Sequence, residues 1–185
     1  VYISYIYSGS GSFFTNKLVM FTYNVTTGLL QSPVALCDTL PGSNDHNSQR
    51  MIIAPMTQGG TDYKLFYASG DMGAGQGNAV NRVRPIKSQF PNSYEGKILR
   101  FNLVSDGDAG LSAWVPNDNP YNTMLGTQSA VWNIGMRNNQ GFAYDPDLHL
   151  LYGSSHGAYS DDELNIIEGF KNYGHPLVMG YVADG

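Results

Sequence analysis

Short runs of alternating apolar and polar residues recur along this chain, broken by stretches rich in Gly, Asn, Asp and Ser. Period-two alternation is the mark of a strand with one face buried. It predicts strands over residues 1–7 (V-Y-I-S-Y-I-Y), Lys17–Asn24 and, more weakly, Leu29–Ala35. Further strands are predicted over Met51–Pro55, Lys64–Gly70, Gly96–Leu103, Gly141–Tyr144 and His149–Gly153, with another over Leu164–Glu168. Between them lie a Gly/Ser loop at Ser8–Ser12, a polar loop at Leu40–Arg50 and a turn-rich stretch at Ser105–Pro120. Asp71–Tyr94 is long and irregular, which in a compact domain usually means a functional segment or one packed over a site.

Three of these strands share one pattern of apolar, Tyr, small or apolar, Ser. They are Val1-Tyr2-Ile3-Ser4, Phe66-Tyr67-Ala68-Ser69 and Leu151-Tyr152-Gly153-Ser154. Equivalent strands recurring at intervals of tens of residues in an all-β chain point to a β-propeller. In that fold, loops at one end of equivalent strands meet at the central channel. The segments Asp45–Arg50, Asp71–Gln76, Arg137–Gln140 and His156–Glu163 are then expected at one mouth.

Composition narrows the function. The chain has 185 residues, many Gly and Tyr, and few charges. The net charge of −5 argues against a nucleic-acid partner, which calls for a basic surface. No apolar run approaches the about 20 residues of a membrane span. The single cysteine, Cys37, excludes an internal disulfide and a cysteine metal cluster. The chain begins inside a strand without Met and stops in a loop, so it reads as an internal piece of a longer protein.

The candidate chemistry sits in the polar loops. Asp45-His46 pairs a carboxylate with the side chain best suited to act as a general base near neutral pH; a surface histidine is the plainer reading. Arg137-Asn138-Asn139-Gln140 offers planar paired donors for an anionic ligand, or an arginine that closes a loop on backbone carbonyls. Ser160-Asp161-Asp162-Glu163 supplies hard oxygens of the kind calcium prefers, or a solvated acidic turn. Gly73-Ala-Gly-Gln-Gly77 lacks the following helix and closing Lys of a nucleotide loop, and that reading is rejected.

Taken in order, D-H-N-S-Q-R (45–50), F-Y-A-S-G-D-M-G-A-G-Q (66–76), G-K-I-L-R-F-N-L (96–103), D-N-P-Y (118–121), G-M-R-N-N-Q-G-F-A (135–143), S-D-D-E-L-N (160–165) and N-Y-G-H-P (172–176) resemble the soluble PQQ-dependent glucose dehydrogenases and their sorbosone dehydrogenase relatives. The resemblance implies a six-bladed propeller, of which residues 1–185 form a middle portion of about two to three blades, truncated at both ends. It implies oxidation of an aldose to its lactone, with PQQ and calcium as cofactors. His46 is then the general base, Asp45 its orienting partner, and Arg137 a charge-stabilising catalytic group. Gln76, Arg137, Asn138 and His156 match cofactor-contacting positions, His156 standing where the family has Gln. The carbonyls of Gly157 and Ala158 match the catalytic calcium pair. Glu163, Tyr173, Met179 and Tyr181 match structural calcium positions, with Ala183 in place of an acidic ligand and Asp184 beside it. The family also implies an electron acceptor, a possible homodimer and a periplasmic or secreted location. The alternatives are a propeller of the same lineage that binds a ligand or protein without catalysis, and an unrelated all-β enzyme or lectin-like module whose acidic cluster is a plain calcium site.

Overall fold

The computed structural model describes residues 1–10, 13–74, 85–122, 128–158 and 160–178. Its architecture is all-β, with three antiparallel meanders in chain order. The first sheet holds β1 (Tyr2–Ser10), β2 (Phe13–Asn24) and β3 (Leu29–Ser43). The second holds β4 (Ser48–Pro55), β5 (Tyr63–Ser69), β6 (Lys97–Asn102) and β7 (Val131–Asn133). The third holds β8 (Asn139–Asp145), β9 (Leu150–Ser155) and β10 (Glu163–Ile166). Within each sheet every strand pairs with its sequence neighbour, as in the blades of a propeller. The turn-rich stretch carries one 3-10 helix, Gly110–Trp114.

Side-chain alternation along β5 shows how the sheets stack. Leu65 and Tyr67 enter one apolar cluster with Leu18, Leu36 and Leu40 of the first sheet. Phe66 and Ala68 enter a second cluster with Leu151 of the third sheet and Ile167 beside it. The second sheet is therefore buried on both faces, each enclosed Leu or Phe contributing about 1.5–3 kcal/mol. This differs from the half-exposed strand that alternation predicts for residues 96–103. All six residues of β6 are buried, Lys97 and Arg100 included. The Lys97 ammonium donates to the carbonyls of Lys87, Ser88 and Glu95 at 2.9, 2.9 and 2.6 Å. Arg100 Nε donates to Asn119 Oδ1 at 2.6 Å, its guanidinium also pairs with Asp118, and it stacks 4.3 Å over the Trp132 ring.

Three further elements depart from the sequence pattern. β3 runs eight residues past Ala35, through the start of the predicted polar loop, despite Pro33 and Pro41. It is the edge strand of its sheet as described, where proline costs no ladder bond on the open side. β1 runs on through Ser10, into the predicted Gly/Ser loop. β7 was not anticipated; at three residues it is too short to show a period. Of the three repeated Tyr strands, β5 and β9 both stand second in their meanders, whereas β1 heads its sheet.

Candidate active site at the loop mouth

In a chain of antiparallel meanders, the connections that follow β3, β5, β7 and β9 fall at the same end. That end is where the polar loops gather. The His46 loop and the segment after β5 meet so closely that a Cβ on Gly70 would lie 1.7 Å from the His46 carbonyl oxygen. Only glycine permits this contact. The loop is braced from within by Asn47, whose side chain accepts from the Ser43 N–H at 2.9 Å and donates to the Ser43 carbonyl at 2.7 Å. His46, Ser48, Gln49 and Met72 all hold positive φ (48, 56, 63 and 64°). Each costs about 1–2 kcal/mol for a residue with a Cβ, and such strain concentrates at functional sites.

Asp71 is the hub. Its carboxylate is 1% exposed and accepts three hydrogen bonds. Oδ1 takes His46 Nδ1 at 2.7 Å and the Gly73 N–H at 3.0 Å; Oδ2 takes His175 Nε2 at 3.1 Å. The Asp71 N–H donates to the Arg137 carbonyl at 2.8 Å, tying the second sheet to the third. Burial alone would push this carboxyl up, but the hydrogen bonds from His175 and His46 outweigh it and hold it below its ordinary value of 3.8. An ionised Asp71 requires the proton of neutral His46 on Nδ1, which leaves the basic lone pair on Nε2.

Asp45, expected as the orienting partner, stands elsewhere. Its Oδ1 accepts the His46 backbone N–H at 2.9 Å and lies 3.8 Å from Nε2, close enough for its charge to act on the ring. The hydrogen bond to Nδ1 belongs to Asp71, from a loop the sequence flagged without giving that residue a role. His175 was also missed as a site residue. One signal was available: the chain has four histidines, and three of them, His46, His156 and His175, lie at this mouth.

Arg137 and Asn138 form the opposite side. Arg137 is 8% exposed, and its Nη1 donates to the carbonyls of His156 (3.0 Å) and Gly157 (2.5 Å) and lies 2.9 Å from His156 Nδ1. Asn138 Oδ1 accepts from Ser48 Oγ at 2.8 Å and Gln140 Nε2 at 2.7 Å, joining the His46 loop to β8. The His46 and His156 rings are 6.2 Å apart, centroid to centroid. Arg137, His156, Gly157, Ala158, Glu163 and His175 line one small cavity. Its guanidinium suits an anionic, hydrogen-bonding ligand, and His175 Nδ1, buried in the same region, has no partner among the described residues.

The acidic segment is less committed. Asp162 Oδ1 accepts the Gly157 N–H at 2.8 Å, and Glu163 Oε2 accepts from Asn165 at 2.9 Å. The Tyr173 hydroxyl is engaged by the Ile166 carbonyl and the Glu168 N–H at 2.6 and 2.8 Å. No group of three or more His, Cys, Asp or Glu among the described residues is arranged to hold a metal. Oxygen donors for calcium are present at Gly157, Ala158, Asp161 and Glu163, but the Arg137 guanidinium already occupies the Gly157 carbonyl, and a dication there would face a fixed like charge. Gln76, Met179, Tyr181, Ala183 and Asp184 lie outside the described residues. Among the described residues, no helix is long and apolar enough to cross a membrane.

The family model described as glucose/sorbosone dehydrogenase matches residues 1–183. The quinoprotein glucose dehydrogenase B of Acinetobacter calcoaceticus is 37% identical over 173 residues, which are 89% of this chain and 33% of that protein. The PQQ-bound aldose sugar dehydrogenase of Streptomyces coelicolor superposes with a TM-score of 0.68 at 26% identity, covering 95% of this chain and 43% of that one. The apo soluble aldose sugar dehydrogenase of Escherichia coli gives 0.72 at 24% identity over 96% and 45%, and shows the same fold. The chain thus spans a third of the curated relative and under half of each solved one.

Proposed function

Because the chain belongs to the glucose/sorbosone dehydrogenase family, we propose that the protein carrying it oxidises an aldose to its lactone, with PQQ as the hydride acceptor. The observation that supports this most directly is a buried carboxylate, Asp71, holding His46 Nδ1 beside a cavity that presents a buried arginine. Asp71 fixes the His46 tautomer and stabilises the imidazolium that forms. His46 Nε2 takes the proton of the sugar's anomeric hydroxyl as the C1 hydride departs, so the sugar loses one hydride and one proton. Asp45, 3.8 Å from Nε2, favours the protonated ring. Arg137, Asn138 and His156 would hold the cofactor, and the guanidinium would stabilise negative charge as it builds. PQQ, when bound, supplies the electrophilic quinone carbonyl that receives the hydride.

Calcium belongs to this reading with a condition. Arg137 must leave the Gly157 carbonyl before a cation can take it, and an anionic cofactor in the cavity would draw the guanidinium away. Gln76, Met179 and Tyr181 keep their proposed cofactor and calcium roles on the resemblance alone. So do an extracytoplasmic location, an electron acceptor and a homodimer. Residues 1–185 make up a partial propeller in this proposal and are not expected to turn over by themselves.

The test is PQQ binding to the full-length polypeptide with and without calcium, followed by dye reduction with an aldose panel, beside a His46→Gln variant. Sugar-dependent reduction that the variant loses supports the assignment. Absence of PQQ binding in the presence of calcium overturns it and leaves a propeller that uses its mouth to bind a ligand or protein.

A further inference from the structure

We propose that His175 is a positioning residue for His46, acting through Asp71; this rests on the reading of His46 as the base. The two Asp71 oxygens are divided between two histidines 129 positions apart in the chain, Oδ1 serving His46 and Oδ2 serving His175. The torsion that turns a carboxylate is soft and nearly two-fold, and the bonds from His46 and the Gly73 N–H both fall on Oδ1, leaving Oδ2 to swing about that end. The bond from His175 holds Oδ2 and with it the plane. A fixed carboxylate plane fixes the line from Oδ1 to Nδ1, hence the imidazole plane, hence the direction of the Nε2 lone pair.

His175 is itself delivered rigidly. Its N–H donates to the Gly135 carbonyl at 2.9 Å, and its carbonyl accepts from Gln89 Nε2 at 2.7 Å. Gly135 holds a φ of +77°, and a Cβ there would sit 2.2 Å from Asn172 Oδ1, so this glycine allows residues 172–175 to lie against the end of β7. With Asp71 1% exposed, removing His175 would leave Oδ2 buried without its donor. Among the described residues, the charged and titratable groups facing the pair include Asp45 and His156 around the His46 ring, and His46 and His175 around Asp71.

The experiment compares His175→Ala, His175→Asn and His175→Gln in the full-length protein. The Gln amide reaches where Nε2 stands; the Asn amide falls short. The first readout is the downfield proton resonance of His46 Nδ1–H in the protein without cofactor, assigned by its loss in His46→Gln. It should shift or broaden in the Ala and Asn variants and return in the Gln variant. The second is turnover with PQQ and an aldose. The kcat should fall about 10- to 100-fold in Ala and Asn, with sugar KM within about two-fold, and recover largely in Gln. Should His175→Ala not fold, Asn against Gln carries the same comparison. An unshifted His46 proton in a folded Ala or Asn variant, or equal kcat in Asn and Gln, would overturn the proposal. A protein that shows no PQQ turnover at all refutes the dehydrogenase reading instead, and the resonance still decides whether His175 positions His46.

Discussion

Replacing Asp71 by Asn changes one atom and removes one charge, and its effect can be worked from three hydrogen bonds. The Asn oxygen can still accept His46 Nδ1 and the Gly73 N–H. The amide nitrogen then faces His175 Nε2, donor against donor in the tautomer that the carboxylate holds, and a shift of the proton to Nδ1 would restore only a neutral bond. One charge-assisted bond, worth about 1.5–3 kcal/mol, is lost. The bond to His46 falls to neutral strength, about 1 kcal/mol less. Relief from burying a carboxylate offsets part of this, leaving a net loss of about 2–3 kcal/mol. The pH dependence has a definite sign. Asp71 titrates below its unfolded value of 3.8, so its stabilisation is complete above that value and is lost as pH falls through the lower folded one. Urea unfolding followed by tryptophan fluorescence should show the full gap between parent and variant at neutral pH, narrowing only under strong acid. The variant should also lose about 10²–10⁴-fold in sugar turnover. A variant within about 0.5 kcal/mol of the parent at neutral pH, or a gap that widens on acidification, would refute the hub assigned to Asp71.

Other outcomes follow from single contacts. Gly70→Ala drives a Cβ into the His46 carbonyl, so the strand end or the His46 loop must move; a loss of at least about 3 kcal/mol and of the His46 Nδ1 resonance is expected in urea melts and proton spectra. Arg100→Lys keeps the charge but not the planar fork that serves Asn119 and Asp118 while lying over Trp132; unfolding measurements should show about 2 kcal/mol lost, and a neutral result would mean the stack contributes little. Cys37 is 5% exposed and burial pushes its thiol up, so a thiol reagent should label it slowly in the folded protein and rapidly in denaturant; equal rates would contradict its place in the first core cluster.

Much of the strand order was legible in the sequence because alternation reports a half-buried strand directly. It failed where burial is two-sided or geometry is set by the edge. In β6 the polar residues are as buried as the apolar ones, since Lys97 and Arg100 find internal acceptors that no period encodes. In β3 the prolines that signal a break are tolerated at an edge. The loops that meet at the mouth were legible from motif order, and the structure brings the described parts of all four together. The partners within them were not. Asp45 is adjacent to His46 in sequence, which favours it on paper, but a neighbour in sequence reaches the backbone N–H more readily than the ring nitrogen on its far side. Asp71 reaches that nitrogen from 25 residues away, and His175 reaches Asp71 from 104. Only the stacking of sheets brings such positions into register.

That spread has a consequence for the order of assembly on the ribosome. His46 and Asp71 are both made while the third sheet is still unwritten, and the donor to Asp71 Oδ2 appears 104 residues later. At ordinary elongation rates this is a wait of about 5–20 s. For part of it the Phe66 and Ile98 face of the second sheet also lacks the Leu151 and Ile167 cover it will later have. The growing chain therefore carries a half-held base and a bare apolar face together, and one event, the arrival of the third sheet, closes both.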